Sequence, residues 1–577
     1  MSTTPAAAPK ETKAQRSERL KLAKNPWDAW DEVREFATQG RDSVLPEWTG
    51  LYFKWWGVYT QGDGLGVTGG ANGEGKATEY FMMRIGLPNG LLTSEQMRVI
   101  GQLAKKYAQN LADITTRQNI QFHWLTLSGL VDVVDALTAV GLSPKGACGD
   151  VVRNVTGCPL AGLDHTELID ASPLAQQIAH YLTANPEFYN LPRKFKITVS
   201  GCPVWCSYPE INDVALTAIK RVVDGPNGIQ EEIGYTLRVG GGLSTEPHIA
   251  ERIPAFIPQD KALGVVTAVV RIFKEQDPLR ENRTRARIKY LFMRHGWTAE
   301  SFLVALEEKL GYKLDPSPAA DQPPADIYRD HVGVTQQRQP GLSAVGASVL
   351  NGRLSGDQFI KLADLAEKYG DGSLRATIGQ NILIVNVPNP EVAALIIELN
   401  TLGLNVDVSP FWRGAIACTG TEFCKLAIAE TKAFNKWVVS ELEERLPSFD
   451  QQIRLHVTGC TNSCGQHWIA DIGLEGKKIK KDGKMVDAFF FCVGGSVGKY
   501  ARPARPLGYR VAATDVPAAI ERLLTGYLAV RNEGEDLRSY FDRTDDATLR
   551  AQLAGEVIPP VERDAPPVGA GRLAPAE

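Results

Sequence analysis

Gly90-Leu-Leu-Thr-Ser-Glu-Gln96 returns 262 residues later as Gly352-Arg-Leu-Ser-Gly-Asp-Gln358, and this recurrence decides how the 577-residue chain is read. In both copies a Thr or Ser stands three residues before a Gln (Thr93 and Gln96; Ser355 and Gln358). That is the pattern of a capping box opening a helix. It predicts amphipathic helices running to Tyr107 and Tyr369. At the same offset Gln118-Asn-Ile-Gln-Phe-His-Trp124 matches Gln380-Asn-Ile-Leu-Ile-Val-Asn386, apolar segments that predict a strand after each helix. Farther on, Gly157-Cys-Pro-Leu-Ala161 resembles Phe423-Cys-Lys-Leu-Ala427, and Ser200-Gly-Cys-Pro-Val-Trp-Cys206 resembles Thr458-Gly-Cys-Thr-Asn-Ser-Cys464. The drifting offset implies small insertions. The chain therefore reads as a duplicated α+β protein, with halves of about 250 residues, a Pro-rich joint near Asp315 to Ala325, and a site between the halves. The period is too long, and the copies too few, for a solenoid.

Composition narrows the functional class. A net charge of −4 from nearly balanced acids and bases gives no global field favouring nucleic acid or an anionic membrane. The segment Met1 to Pro26 lacks the apolar core of a signal peptide, and apolar runs such as Ala488 to Val493 fall far short of the ~20 residues of a membrane helix. A soluble, cytoplasmic protein is expected. Nine cysteines are too sparse for a disulfide scaffold in a chain this long, and most sit in short-spaced sets, which points to thiolates gripping a metal. The Ala- and Pro-rich start and the Pro559 to Glu577 tail are expected to be disordered.

Cys418 and Cys424 are separated by five residues and Cys460 and Cys464 by three. Four thiolates in two close pairs suit an iron-sulfur cluster or a structural zinc; neither pair has the CxxC spacing usual for zinc. Cys424 is expected to open a helix reaching Leu446, and Cys460 to follow a strand. The stretches Ala417-Cys-Thr-Gly-Thr-Glu-Phe-Cys-Lys-Leu426 and Thr458-Gly-Cys-Thr-Asn-Ser-Cys-Gly465 resemble the cluster signature of the nitrite and sulfite reductase hemoprotein family, and the likeness runs from about Trp55 to Tyr527. The resemblance implies siroheme and a 4Fe-4S cluster as cofactors, Cys418, Cys424, Cys460 and Cys464 as cluster ligands, and Cys464 as the sulfur shared with the siroheme iron. It implies two ferredoxin-like half-domains (51–145 and 331–408) and two siroheme/4Fe-4S-binding domains (146–314 and 409–545). A partly disordered extension (1–50), a linker (315–330) and a tail (546–577) complete the expected layout. In the N-terminal copy, Cys158, Cys202 and Cys206 are expected to be a vestige of duplication, with Val152 at the position matching Cys418.

Alternation along Arg117 to Leu125 places Arg117, Asn119, Gln121 and His123 on one strand face, and Lys194 and Lys196 share a face of the next such segment. Cationic strand faces make poor cores unless anions compensate them, so an anionic ligand is expected. By resemblance, Arg117, Gln121 and Arg193 are assigned to the macrocycle, and Arg84, Arg153, Lys194 and Lys196 to the substrate pocket. Tyr59 resembles a pocket-edge tyrosine that some family members bond to a cysteine; the apparently matching place here is Val151. The glycines of Val239-Gly-Gly-Gly-Leu-Ser244 read either as an anion cradle or as a strand-end turn.

No dinucleotide fingerprint is present, so electrons are expected from another protein: ferredoxin docking at Lys477, Lys478, Lys480 and Lys481, or a separate flavoprotein. The resemblance implies six-electron reduction of sulfite or nitrite. Lys196 leans to sulfite, because nitrite-specialised members usually carry Asn there; the Val152 to Gly162 stretch looks closer to the nitrite branch. The rival reading is a non-catalytic iron-sulfur carrier or redox sensor, which leaves the Arg and Lys constellation unexplained.

Overall fold

A computed structural model describes residues 11–61, 79–225, 228–318 and 329–556. The first ten residues, most of the Pro-rich joint and the tail beyond 556 lie outside the described residues. Among the described residues, no helix is long and apolar enough to cross a membrane.

Among the described residues, the duplication organises the strands into four five-stranded sheets. The first orders Val58–Thr60, Phe81–Ile85, Ile120–Leu125, Leu111–Ile114 and Arg353–Ser355; its partner orders Gly333–Gln336, Leu342–Ala347, Ile382–Pro388, Ser373–Ala376 and Leu91–Thr93. The last strand of each is exchanged. Arg353–Ser355, from the second half, pairs with Leu111–Ile114, while Leu91–Thr93, from the first half, pairs with Ser373–Ala376. Each exchanged strand leads into one of the repeated helices, Ser94–Tyr107 and Gly356–Tyr369, and both carry the expected capping box. The helices pack closely at Gly101 and Gly356: a Cβ on Gly101 would lie 2.7 Å from the Gly356 carbonyl, leaving no room for a side chain.

One apolar core runs through both half-domains, joining Met97, Ile100 and Phe122 to Phe359, Leu362 and Ile384, and it absorbs the Trp-rich N-terminal segment through Trp27, Trp30, Trp48 and Trp55. The other two sheets each have a core of their own. One orders Glu251–Pro258, Gly228–Val239, Val214–Gly225, Ile197–Ser200 and Thr156–Gly157; the other Ala415–Ala417, Leu455–Thr458, Ile472–Lys481, Lys484–Val493 and Arg505–Ala512. The helix Asp546–Ala554, expected to lie in the tail, instead packs Leu549 and Leu553 into this last core.

Backbone pairing fixes the register between halves and corrects the sequence reading. Gly157 aligns with Val199 as Ala417 does with Val457. The Gln118 side chain accepts from the Gly157 N–H as Gln380 does from that of Ala417. Leu168 and Ile169 donate to the Gly201 carbonyl as Ile428 and Ala429 donate to that of Gly459. Cys158 is thus the counterpart of Cys418, not of Cys424, and Val152 matches neither. The cluster position lacking a cysteine in the first half is Asp164, counterpart of Cys424.

Candidate active site

The polar segment before Ile120 is a turn. Gln118 has a φ of 56°, so the strand spans Ile120–Leu125 and not Arg117 to Leu125. The turn frees Gln118 to donate to the Ala376 carbonyl of the other half, while Gln380 (φ 65°) returns the bond to Ile114. It also sends Arg117 sideways to the Asn212 side chain (2.8 Å) and the carbonyls of Asn154 (2.6 Å) and Ile197 (3.2 Å). Its buried Nε has no hydrogen-bond partner.

Around Arg117 the structure gathers the remaining cations. Arg84 donates to the Gln121 oxygen (2.8 Å) and reaches the Cys148 sulfur (3.1 Å). Arg153 is braced by the Gly149 and Ala147 carbonyls. Arg193 leans on Asp150 (3.3 Å). Lys194 and Lys196 precede the strand Ile197–Ser200. The residue that sequence reasoning missed is Arg287, which grips the buried Asp213 with two N–H donors at 2.8 and 2.7 Å. The basic run Arg283 to Arg287 was its only signal.

The carboxylates in this group are already engaged: Asp213 by Arg287 and the Lys196 backbone, Asp150 by Arg193, Arg283 and Lys21. Positive charge is therefore in surplus, and proton affinities record it. Burial, reinforced by Arg287 and Arg193, lowers Lys194 to about 7. Burial, with Arg117 and Lys194, pushes Lys196 well below the usual lysine range. Even Arg117 falls to about 9 through burial, with Arg153, Arg287 and Arg84 adding to it. Arg84 is the exception. Burial would lower it, but Cys148, Tyr59, Cys464 and Cys424 outweigh that and raise it. A cavity that disfavours its own cations fits a polyanionic ligand such as siroheme with its carboxylates.

Tyr59 and Cys148 sit in hydrogen-bond contact, so Cys148, and not Val151, is the cysteine at this pocket edge. The Gly240 and Gly242 N–H groups are occupied by the Asp213 and His248 carbonyls, which makes the glycine run a strand-end turn and not an anion cradle.

The cysteines expected to hold a cluster lie in the second half, where Cys464 and Cys424 act on Arg84 and Cys464 on Lys194. Cys418 ends the strand Ala415–Ala417, its sulfur accepting from the Gly459 N–H at 3.2 Å. The helix expected from Cys424 begins only at Lys432; the intervening turns are bound to Gly459. Cys460 and Cys464 follow the strand Leu455–Thr458, and Cys464 is the exposed member, its carbonyl held by the Thr116 hydroxyl at 3.2 Å. Burial and the neighbouring Cys464 raise Cys424 and Cys460 each to about 12. Such thiols need bound cations to ionise. Among the described residues no three of these sulfurs lie within 4.8 Å of one another, a spread that suits a cluster better than one ion. The loop is locked to the first half: the His123 ring stacks on Phe423 at 3.9 Å, Gln121 donates to Thr419, and Lys425 reaches Thr60.

The nitrite and sulphite reductase 4Fe-4S domain model matches the chain twice, at residues 148–314 and 410–557, and the ferredoxin-like half domain model matches it at 73–140 and 335–402. The chain belongs to the nitrite and sulfite reductase family. It is an oxidoreductase whose cofactors are siroheme and a 4Fe-4S cluster. It is 36% identical to sulfite reductase [ferredoxin] 1 of Mycolicibacterium paratuberculosis over 92% of this chain and 96% of the relative. It is 35% identical to the assimilatory ferredoxin-dependent nitrite reductase of Haloferax mediterranei, covering 92% of each. The solved structure of the Mycobacterium tuberculosis NirA protein superposes with a TM-score of 0.86 at 35% identity, over 92% of this chain and 97% of that one.

Proposed function

We propose that the protein is a cytoplasmic, ferredoxin-dependent reductase that takes sulfite as its better substrate and nitrite as a second one. The observation that carries this is the surplus of half-buried cations, in which Lys194 and Lys196 lie within charge reach of each other and of Arg287, with Arg153 also acting on Lys194. Sulfite brings more charge and one more oxygen than nitrite, so a second ammonium contributes more to it.

When bound, siroheme supplies an iron for the substrate's sulfur or nitrogen and the cluster supplies electrons singly. Cys418, Cys424, Cys460 and Cys464 would hold the cluster, with the exposed Cys464 as the sulfur that would be shared with the siroheme. Arg117, Gln121 and Arg193 would hold the macrocycle's carboxylates. Arg84 and Arg153, braced from behind, fix the substrate's oxygens by charge and direction. Lys194, lowered to about 7, holds a proton that it can give up at neutral pH to an oxygen leaving as water. Lys196 completes the charge that a dianion requires.

Lys196→Asn tests the substrate reading. The specificity constant for sulfite should fall about tenfold more than that for nitrite, the loss of one contact worth about 1.4 kcal/mol. Both constants are measured with a reduced dye as donor. Equal losses would leave the preference for sulfite without support.

A further inference from the structure

The cysteines of the first half do more than echo the cluster. Cys158 and Cys206 place their sulfurs, with a ring nitrogen of His331, all within 4.8 Å of one another. Cys202 lies outside that group: its sulfur contacts those of Cys158 and Cys206 but donates to the Val204 carbonyl at 2.8 Å. In the corrected register Cys158, Cys202 and Cys206 are the counterparts of Cys418, Cys460 and Cys464. The fourth position, Asp164, is turned to Arg329 (2.6 Å) and to Thr166. His331 arrives from the start of the second half.

An independent observation points to a ligand. His331 is only 7% exposed, yet neither ring nitrogen has a hydrogen-bond partner. Its backbone has a φ of 61°, in the left-handed region that is uncommon outside glycine but that histidine enters more readily than most residues. A buried imidazole with both nitrogens unsatisfied is costly unless something binds it. Apolar packing by Leu160, Leu163, Leu383 and Val385 explains why thiols are tolerated here, but not the histidine. Cys206 and His331 also line a small cleft with Tyr208, Arg329, Asp330 and Ile416.

We propose that Cys158, Cys206 and His331 form the core of a second metal site, which holds a single zinc ion, recruits Cys202 as fourth ligand when its sulfur turns from the Val204 carbonyl, and ties the first siroheme-binding domain to the second half. Soft thiolates with one imidazole select zinc among the common divalent ions. Spacing argues against a second cluster. Tetrahedral zinc with Zn–S bonds of about 2.3 Å sets sulfurs roughly 3.8 Å apart, which the Cys158 and Cys206 sulfurs, within 4.8 Å of each other and of His331, approach, whereas no three of Cys418, Cys424, Cys460 and Cys464 lie so close among the described residues. Binding releases the thiol protons to solvent and involves no change of oxidation state.

Metal analysis of the holoenzyme, purified without chelators, should give about one zinc beside about five irons per chain. Zinc-edge X-ray absorption should show three sulfurs at about 2.3 Å and one nitrogen at about 2.0 Å. His331→Ala should lose the zinc while keeping the siroheme and cluster spectra and the iron content, and His331→Cys should retain it. Absence of zinc from wild-type protein would overturn the proposal, as would about nine irons, a disulfide among the three cysteines, or zinc unchanged in His331→Ala. The absorption spectrum needs no variant, so a folding failure in one of them leaves the test intact.

Discussion

Cys464 is exposed and its charge reaches Arg84 and Lys194, while Cys418, Cys424 and Cys460 are more enclosed, so the four proposed cluster ligands are not equivalent. Cys464→Ser should disturb the siroheme and cluster spectra together, whereas Cys418→Ser should first destabilise the cluster, with substrate reduction abolished in both. Wild-type spectra and activity in Cys464→Ser would disprove the shared sulfur. Lys194 carries a second expectation. Because its pKa is lowered to about 7, it is charged below that value and loses its proton above it. Bound carboxylates only raise it, so kcat/KM should fall on an alkaline limb lying at or above pH 7. Lys194→Arg, which stays charged, should lose that limb in a pH profile even where its rate is lower. A limb unchanged in the arginine variant would place the titration elsewhere.

At the scale of elements, the basic hairpin is less free than its sequence suggests. Lys477, Lys478 and Lys481 are ion-paired with Glu475, Asp487 and Asp515, while Lys480 stands exposed near the Asp482-Gly483 tip. Exposed pairs are weak and yield to a better partner, so the patch still presents charge to an acidic protein. Reversing all four lysines should raise the apparent KM for ferredoxin several-fold and leave dye-driven turnover unchanged; unaltered ferredoxin kinetics would remove the hairpin from the docking face. Capping boxes and apolar periodicity were legible because they are local. The repeated helices followed from them directly, while the cysteine pairs were read from their spacing. The register of the first-half cysteines was not: the shared Cys-x-Leu-Ala string outweighed backbone hydrogen bonds that only the folded chain makes. Strand limits were missed for a similar reason, since nothing local says that Gln118 turns left-handed to serve the opposite half. Arg287 and His331 joined their sites through packing between segments far apart in sequence.

At the scale of the whole molecule the halves are held by charge as well as by the shared core. Asp113, 2% exposed, faces Arg353 (3.0 Å), His123 (3.3 Å) and Lys432 (3.6 Å). Burial would raise its carboxyl, but Lys432, His123 and Arg353 hold it far below the ordinary range. Asp113→Asn strands Arg353 and Lys432 and should destabilise the fold by about 3–5 kcal/mol. The sign with pH follows: a depressed carboxyl contributes fully above its unfolded pKa and is lost as pH falls below that, so the gap in Tm between wild type and variant should narrow toward pH 3. A constant gap would show that the aspartate acts by shape alone.

The exchanged edge strands also set a timetable for birth on the ribosome. The first sheet cannot be finished when its own residues emerge, because Leu111–Ile114 must wait for Arg353–Ser355. At about 5–20 residues per second, that edge stays open for roughly 10–50 s. During that interval an unpaired β-edge is a template for the wrong neighbour, including the same edge on the next nascent chain of a polysome. The arrangement that welds the mature halves together thus makes the growing chain dependent on shielding by a holdase, and ribosome profiling of chaperone occupancy should show engagement ending soon after Ser355 leaves the exit tunnel.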